Sequence, residues 1–392
     1  MKRNIILAAM LCVLVGAKAQ VSGIERVLKS IEENNKELRA NEHLTVSKKL
    51  EAKTDNNLPD PSISYSYQFG HPQELGKSGE LTVTQGFDFP TVYGSRNQLN
   101  KLKATSFDYQ YDAFRQQLLL TAKEACIDLI QLNKQKALID ERLKNAEALS
   151  EVYARRLATG DANALETNKI NLELMNVKTE ATMNEAARQS KLQELIAMNG
   201  NIPLELNDIE YSPVEELTGF EQLKQEVLPS DITLRSLNSE SAVAKKQISV
   251  NKSGWLPKLE LGYRRNTGEG EQFNGFVVGV SVPLFENKNK VKAAKAQSLY
   301  ADLQKAGSEE KAESVLYGLY KEAETLRTAM KDYNKALEGS DMKLLRQALD
   351  ARQISLIEYF TEISVIYQSH QSFMELENRY YKVMAQIFKN KL

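Results

Sequence analysis

The stretch PSISYSYQFG, Pro61 to Gly70, alternates along its length: Ile63, Tyr65, Tyr67 and Phe69 fall on one side, Ser62, Ser64, Ser66 and Gln68 on the other. A period of two marks a β-strand whose two faces meet different surroundings. The apolar side is mostly aromatic, and most of the remaining chain has helical periodicity, so the question is what that side meets.

The pattern occurs twice. Leu58-Pro59 leads into the quoted strand, and Leu256-Pro257 leads into KLELGYRR, where Leu259, Leu261 and Tyr263 alternate against Lys258, Glu260, Gly262 and Arg264. Each strand has a partner. ELTVTQGFDFP, Glu80 to Pro90, sets Leu81, Val83, Phe87 and Phe89 on one face, and GFVVGVSVP, Gly275 to Pro283, does so with Phe276, Val278, Val280 and Val282. Both second strands stop at a proline, which cannot donate to a ladder. The polar, glycine-bearing segments 70–79 and 265–274 suit hairpin loops.

After each hairpin, small and apolar residues recur at spacings of three and four, from Phe107 to Tyr153 and from Val291 to Ala336. This predicts helices of roughly 60 residues, on the order of 90 Å long. Each ends at a break, RLATGDANALE (156–166) or DARQISLIE (350–358), beyond which a helix returns. A helix also precedes each hairpin, from Ile24 to about Asn56 and from Asp231 to about Ser253. Proline and turn residues from Asn199 to Phe220 read as a connector. The organisation expected is a leader over 1–19, a first repeat over 20–200, a connector over 201–230 and a second repeat over 231–392.

The leader follows from MKRNIILAAMLCVLVGAKAQ. Lys2 and Arg3 precede an apolar run, Ile5 to Val15, and Ala17-Lys18-Ala19 supplies small residues for cleavage before Gln20. The run is short against the roughly 20 residues of a spanning helix, which weighs against an uncleaved anchor. Cys12 lies inside it without the surroundings of an acylation site, so a mature chain free of lipid is expected. No later segment approaches a transmembrane helix, which leaves a soluble exported chain or one that reaches a membrane by β-strands. Loss of Lys2, Arg3 and Lys18 takes the formal net charge from −1 to −4, which gives no electrostatic reason to expect nucleic acid. Cys126 alone remains, so no intrachain disulfide can form, and its apolar helix face predicts a plain buried thiol.

Four amphipathic strands cannot close a barrel in one chain, and an open edge in hydrocarbon leaves unpaired backbone groups at several kcal/mol each. Other copies must close it. Two copies give a barrel of about eight strands, filled by its own side chains, whereas three give twelve and a water-filled lumen. A homotrimer is expected, with Tyr65, Tyr67 and Phe69 in the interfacial girdle and serines lining the interior. A periplasmic helical protein with a small soluble sheet would leave both aromatic faces without a partner of matching size.

The order of elements, the doubled hairpin, LPDPSISYSY and WLPKLELGYRR entering the strands, QGFDFP and VSVPLFENKNK leaving them, and the G-x5-[DE] turn from Gly160 to Glu166 resemble the TolC-type outer membrane efflux duct family (outer membrane factors). The resemblance covers essentially the whole mature chain. It implies a mostly α fold with membrane β: a trimeric twelve-stranded barrel in the outer membrane joined to a periplasmic α-barrel of long antiparallel helices. It implies a passive exit duct of a tripartite efflux or type I secretion system. The partners would be a periplasmic adaptor (membrane fusion protein) and an inner-membrane pump of the resistance-nodulation-division or ATP-binding class. The lipid-facing residues would be the apolar strand sets named above. The aperture and adaptor tip would comprise Gly160, Asp161, Leu165 and Glu166 in the first copy and Arg352, Ser355, Leu356 and Glu358 in the second. Acidic residues line this aperture in the family, and Arg155, Arg156 and Arg352 are candidate cationic partners. The second copy departs from the pattern: Arg352 stands where the first has Gly160, and Thr361, followed by Glu362, stands where the family has a second acid. Cargo is not readable, since its choice largely lives in the pump. The competing reading is a periplasmic coiled-coil scaffold without channel activity, which would have no need of two strand pairs with lipid-grade faces.

Other motifs carry little. GKSG at Gly76 to Gly79 has five residues, not four, after Gly70, and precedes a strand, so it does not fit a phosphate loop. His43, His71 and His370 lack metal-ligand spacing, and neighbours such as Glu32-Glu33 suit a solvated helix face. No nucleophile–base arrangement is apparent. The sequence predicts no enzyme, cofactor or metal site.

Overall fold

The computed structural model describes residues 23–72, 76–268, 270–337 and 342–392; the expected leader, 1–19, falls outside them. In chain order it runs α1 (Gly23–Asn34), α2 (Lys36–Thr54), β1 (Ser62–Phe69), β2 (Lys77–Phe87), α3 (Pro90–Thr159), α4 (Ala164–Met198), α5 (Phe220–Val227), α6 (Ile232–Ser253), β3 (Lys258–Thr267), β4 (Gln272–Ser281), α7 (Lys290–Leu337), α8 (Met342–Asp350) and α9 (Leu356–Ile387). No helix among the described residues is long and apolar enough to cross a membrane.

Helix α3 has 70 residues, about 105 Å at 1.5 Å per residue. Pro90, which stops the preceding strand, opens it, because a first helical turn leaves that donor unused in any case. The single helix expected from Ile24 to about Asn56 is in fact two. Asn35, at φ −66° and ψ 121°, leaves the helical region and its side chain accepts the Leu38 amide at 2.8 Å, so a local cap wins over continuation. The strands are also displaced from expectation. β2 starts at Lys77 and stops at Phe87, β3 continues through Thr267, and β4 starts at Gln272 and stops at Ser281, so Phe89 and Val282 lie just past the ladder. Residues 77–79, 265–267 and 272–274, all but Phe273 polar or glycine, therefore pair as strand although these segments read as loop. Backbone pairing does not require an apolar side chain.

The chain forms two compact units, residues 23–34 with 122–214 and residues 35–121 with 215–392. In the first, α4 lies along the later part of α3. Ile170, Val177 and Asn184 recur every seven residues and meet a seam that includes Ile139, Ala146 and Tyr153, also seven apart. Arg142 crosses the seam to Glu173 and Glu180, 2.7 Å each. The irregular segment after α4 is held by asparagines. Asn199, fully buried, accepts from Ser30 Oγ at 2.9 Å and donates to the Ile202 carbonyl at 2.9 Å. Asn133 donates to the carbonyls of Leu206 and Asp208, 3.0 Å each, and accepts from Arg188 Nε at 2.8 Å. Cys126 is fully buried, and that burial, with the Asp208 charge adding to it, pushes its thiol up to about 12.

In the second unit, α7 packs against both α6 and α9. The α6 seam is built from small residues: Ser236, Ser239, Ser241 and Ala244 on one side, and Ala294, Ser298 and Ala301 on the other. Small side chains let the axes approach, so the contact is close although little apolar area is buried. Asp302 accepts Ser241 Oγ at 2.5 Å and pairs with Lys245 at 2.9 Å, and these partners hold its carboxyl below the usual range. Toward its far end α7 meets larger residues of α9, including Tyr359, Ile363, Tyr367 and Met374.

Asn133→Ala removes one buried side chain and takes this partner from two carbonyls and from Arg188 Nε, although Arg188 keeps its pairing with Glu185. It should lower unfolding stability by about 1–3 kcal/mol, read as a denaturation midpoint in detergent. Lys178→Ala, which loses only an exposed 3.7 Å ion pair, should change it by under about 0.5 kcal/mol.

Candidate functional site

The four strands form one antiparallel sheet in the order β1-β2-β3-β4, so the second strand of the first hairpin pairs with the first strand of the second. Register then decides which side chains share a face. Ile63, Val83, Tyr263 and Phe276 form one row across all four strands, with Leu261 and Val278 in the row nearer the helices and Phe87, Leu259 and Val280 in the next. Tyr65 and Leu81 lie in the row toward the hairpin loops, followed by Tyr67, then Phe69. Every sequence-predicted apolar strand residue within the ladder thus falls on a single face. That face is bare: Ile63, Phe69, Phe276 and Val278 are 72%, 77%, 91% and 73% exposed. A Cβ at Gly79 would lie 2.6 Å from the Tyr65 hydroxyl, so the Tyr65 ring covers the glycine on this side.

The opposite face is polar. Ser62 and Thr84 share a hydrogen bond of 2.8 Å, Ser78 donates to Asn266 at 2.9 Å, and Arg264 pairs with Glu80 at 3.3 Å. The sequence reading missed two residues here. Phe273 lies on this polar face opposite Asn266, and Arg265 lies on the apolar face, where it donates to Gln272 at 3.2 Å. Both belong to the polar ends of strands that were read as loops, so no alternation was available to place them.

The two helix-end turns are alike in backbone and unlike in sequence. In the first, Gly160 has φ +78°, its amide bonds the Leu157 carbonyl at 3.2 Å and the Asp161 amide bonds the Arg156 carbonyl at 2.7 Å. In the second, Arg352 has φ +57°, its amide bonds the Leu349 carbonyl at 3.0 Å and the Gln353 amide bonds the Ala348 carbonyl at 2.8 Å. Both are Schellman motifs, closed by a left-handed residue that is usually glycine.

Three residues on, each turn starts its return helix with a capping box. Asn163 accepts the Glu166 amide at 2.8 Å while Glu166 accepts the Asn163 amide at 3.1 Å; Ser355 and Glu358 exchange the same bonds at 3.2 and 2.7 Å. Both predicted aperture acids therefore hold a helix end, a role that the N-x-x-E and S-x-x-E spacing would have revealed. The Ser355 amide holds the Glu358 carboxyl below the usual carboxylate range. Its share of the cap is thus intact at neutral pH and is lost as pH falls through that lowered value. Of the predicted tip leucines, Leu165 is 82% exposed but Leu356 is buried at 5%; the residue that matches Leu165 in the second turn is Ile357, 63% exposed.

Because nothing lies within 4 Å of a Cβ placed at Gly160, a side chain there costs only backbone strain. Gly160→Ala should lower thermal stability by about 1 kcal/mol, and Arg352→Gly should raise it by a similar amount. Equal effects of one sign in calorimetry would contradict the matched turns.

No family model and no curated protein matches the chain. Solved structures do. A membrane protein from Pseudomonas aeruginosa is 14% identical, with 94% of this chain and 93% of that one covered and a TM-score of 0.76. The outer membrane protein VceC of Vibrio cholerae is 13% identical, with 94% and 95% covered and a TM-score of 0.74. The open-state MtrE outer membrane channel of Neisseria gonorrhoeae is 14% identical, with 94% and 88% covered and a TM-score of 0.73. What is common at such identities is the backbone arrangement, and the fold of this chain is that of the TolC-like outer membrane channels.

Proposed function

We propose that the chain is the outer-membrane exit duct of a tripartite efflux or secretion system, a passive conduit rather than an enzyme. The observation that carries this reading is the sheet: one face apolar across all four strands, with β1 and β4 left as open edges. Three copies joined edge to edge would close twelve strands, satisfy both edges and put the apolar face against lipid and the serine, Arg264 and Glu80 face toward water. The likeness in fold to outer membrane channels supports the same location and role.

On this reading the helix-end turns serve as aperture and as dock for a periplasmic adaptor, with Leu165 and Ile357 as exposed apolar contacts. Glu166 and Glu358 each have a second carboxylate oxygen beyond the one that caps the helix. Three copies of such acids near an axis would repel unless a cation sits between them, and Arg155, Arg156 and Arg352 are close in sequence. The chain would draw its energy from the pump it meets, so the cargo would be set largely by that pump.

Membrane extraction tests the whole reading. The protein should stay with membranes in carbonate and purify in detergent as a trimer; release by carbonate would favour the periplasmic scaffold, and a monodisperse conducting monomer would end the closure argument. Val278→Lys should abolish outer-membrane assembly, at roughly 2–4 kcal/mol per copy near the bilayer midplane, while Val277→Lys, its neighbour on the opposite face, should assemble. For the aperture, glutamine also serves in a capping box, so Glu358→Gln removes charge and keeps the helix end. It should raise single-channel conductance, with exposed Glu375→Lys as the silent control; identical conductance in both would move the gate away from Glu358.

A further inference from the structure

We propose that the turn between β4 and α7, together with Trp255, forms a lipid-binding collar selective for anionic phospholipid headgroups at the helix end of the sheet; this rests on the membrane reading above. Below the last apolar row, Val280 and Val282 lead directly into Leu284 and Phe285, which are 66% and 84% exposed. Trp255, the only tryptophan of the chain, is 47% exposed in the turn that enters β3. The apolar surface of the sheet thus continues past its hydrogen bonds into a large aromatic and aliphatic rim.

The rim is pinned rather than loose. Asn287 is buried and donates to the Gly254 carbonyl, Lys258 pairs with Glu286 at 2.9 Å, and Asn251 donates to the Lys290 carbonyl at 3.0 Å. These bonds tie the turn to the end of α6 and to β3, and leave Phe285 exposed.

Charge identifies the occupant. From 282 to 295 the chain carries Lys288, Lys290, Lys292 and Lys295 against Glu286 alone, in a protein of net charge −1. Glu286 is already engaged by Lys258 and lies 4.0 Å from Lys290, whereas Lys288, Lys292 and Lys295 are exposed and enter no ion pair among the described residues. Lys292 and Lys295 are three apart on α7 and share a face. The corresponding stretch after β2 differs: Asp88 and Arg96 balance each other in a 2.7 Å pair. An excess of unpaired lysine beside exposed aromatic side chains, at the border of a lipid-facing surface, fits a membrane interface in which rings sit among headgroups and ammonium groups meet phosphates. A concavity of about 530 Å³ lies beside the rim, but Phe285, Trp255, Lys288, Lys292 and Lys295 are not among its lining residues. The aromatic rim and the cation row thus face outward from it, as a lipid surface requires and a groove-bound protein partner does not.

The lone tryptophan provides the test. The purified full-length protein is reconstituted into phosphatidylcholine bilayers that contain an increasing fraction of one of two quenchers, brominated phosphatidylglycerol or brominated phosphatidylcholine, each carrying bromine near the headgroup end of the acyl chain. Trp255 fluorescence should be quenched by both, with phosphatidylglycerol preferred by about fivefold, the value of one effective lysine near an anionic surface. The preference should fall with salt and vanish in the combined variant Lys288→Gln, Lys292→Gln, Lys295→Gln. Equal quenching of the wild-type protein by the two lipids overturns the anionic selectivity and leaves the membrane reading standing. Absence of quenching by either places the rim off the bilayer and removes both. The wild-type comparison decides between these results even if the combined variant fails to assemble.

Discussion

A β-sheet with one bare apolar face and two free edges is unstable in any single solvent. In water the face is exposed and the edges invite further pairing; in hydrocarbon the edge amides and carbonyls lose their partners. Among the described residues no device hides either feature. The edge strand β1 carries serine and aromatic residues with no proline, lysine or bulge inside the ladder, and β4 is equally unguarded. Natural sheets that stand alone blunt their edges. An edge left regular on both sides is what pairing with another copy of the same sheet would require, since β1 and β4 run antiparallel and could pair edge to edge between copies.

If the sheet draws its stability from assembly and from lipid, the helices need not build a large apolar core of their own. The α6–α7 seam of serines and alanines, and the asparagines that tie down the segment after α4, show a protein held by close approach and directed hydrogen bonds. The α3–α4 seam adds a seven-residue apolar repeat with Arg142 spanning it.

Much of this could be read from the sequence, because period two and period three-to-four are properties of side chains. Ile63, Tyr65, Tyr67 and Phe69 announced their strand, and the 70-residue α3 announced itself by the lack of proline; its counterpart, expected at roughly 60 residues, is instead the 48-residue α7 with a separate α8 before the second turn. What could not be read was decided by backbone alone. The outer ends of β2, β3 and β4 pair through residues such as Lys77, Arg265 and Gln272, whose side chains give no sign of it. The break at Asn35 turns on one capping bond in an otherwise helical run. In the second turn, side-chain type alone does not say which apolar residue faces out: Leu356, expected at the tip, is buried, and Ile357 is the exposed counterpart of Leu165.

The same turns explain how so little sequence can be common to proteins of one fold. A Schellman motif and a capping box are made by backbone groups and one short side chain, so glycine and asparagine can build them in one place and arginine and serine in another. The Arg352 turn tolerates a left-handed non-glycine residue because its two backbone bonds, like those at Gly160, are both made. A ladder likewise accepts any residue that suits its two faces, and a seam of small side chains accepts serine or alanine. When the devices that define a fold are satisfied by classes of residue rather than by particular ones, identity can drift to 11–14% while 94% of the chain still superimposes. The positions free to vary are then those where the backbone does the holding.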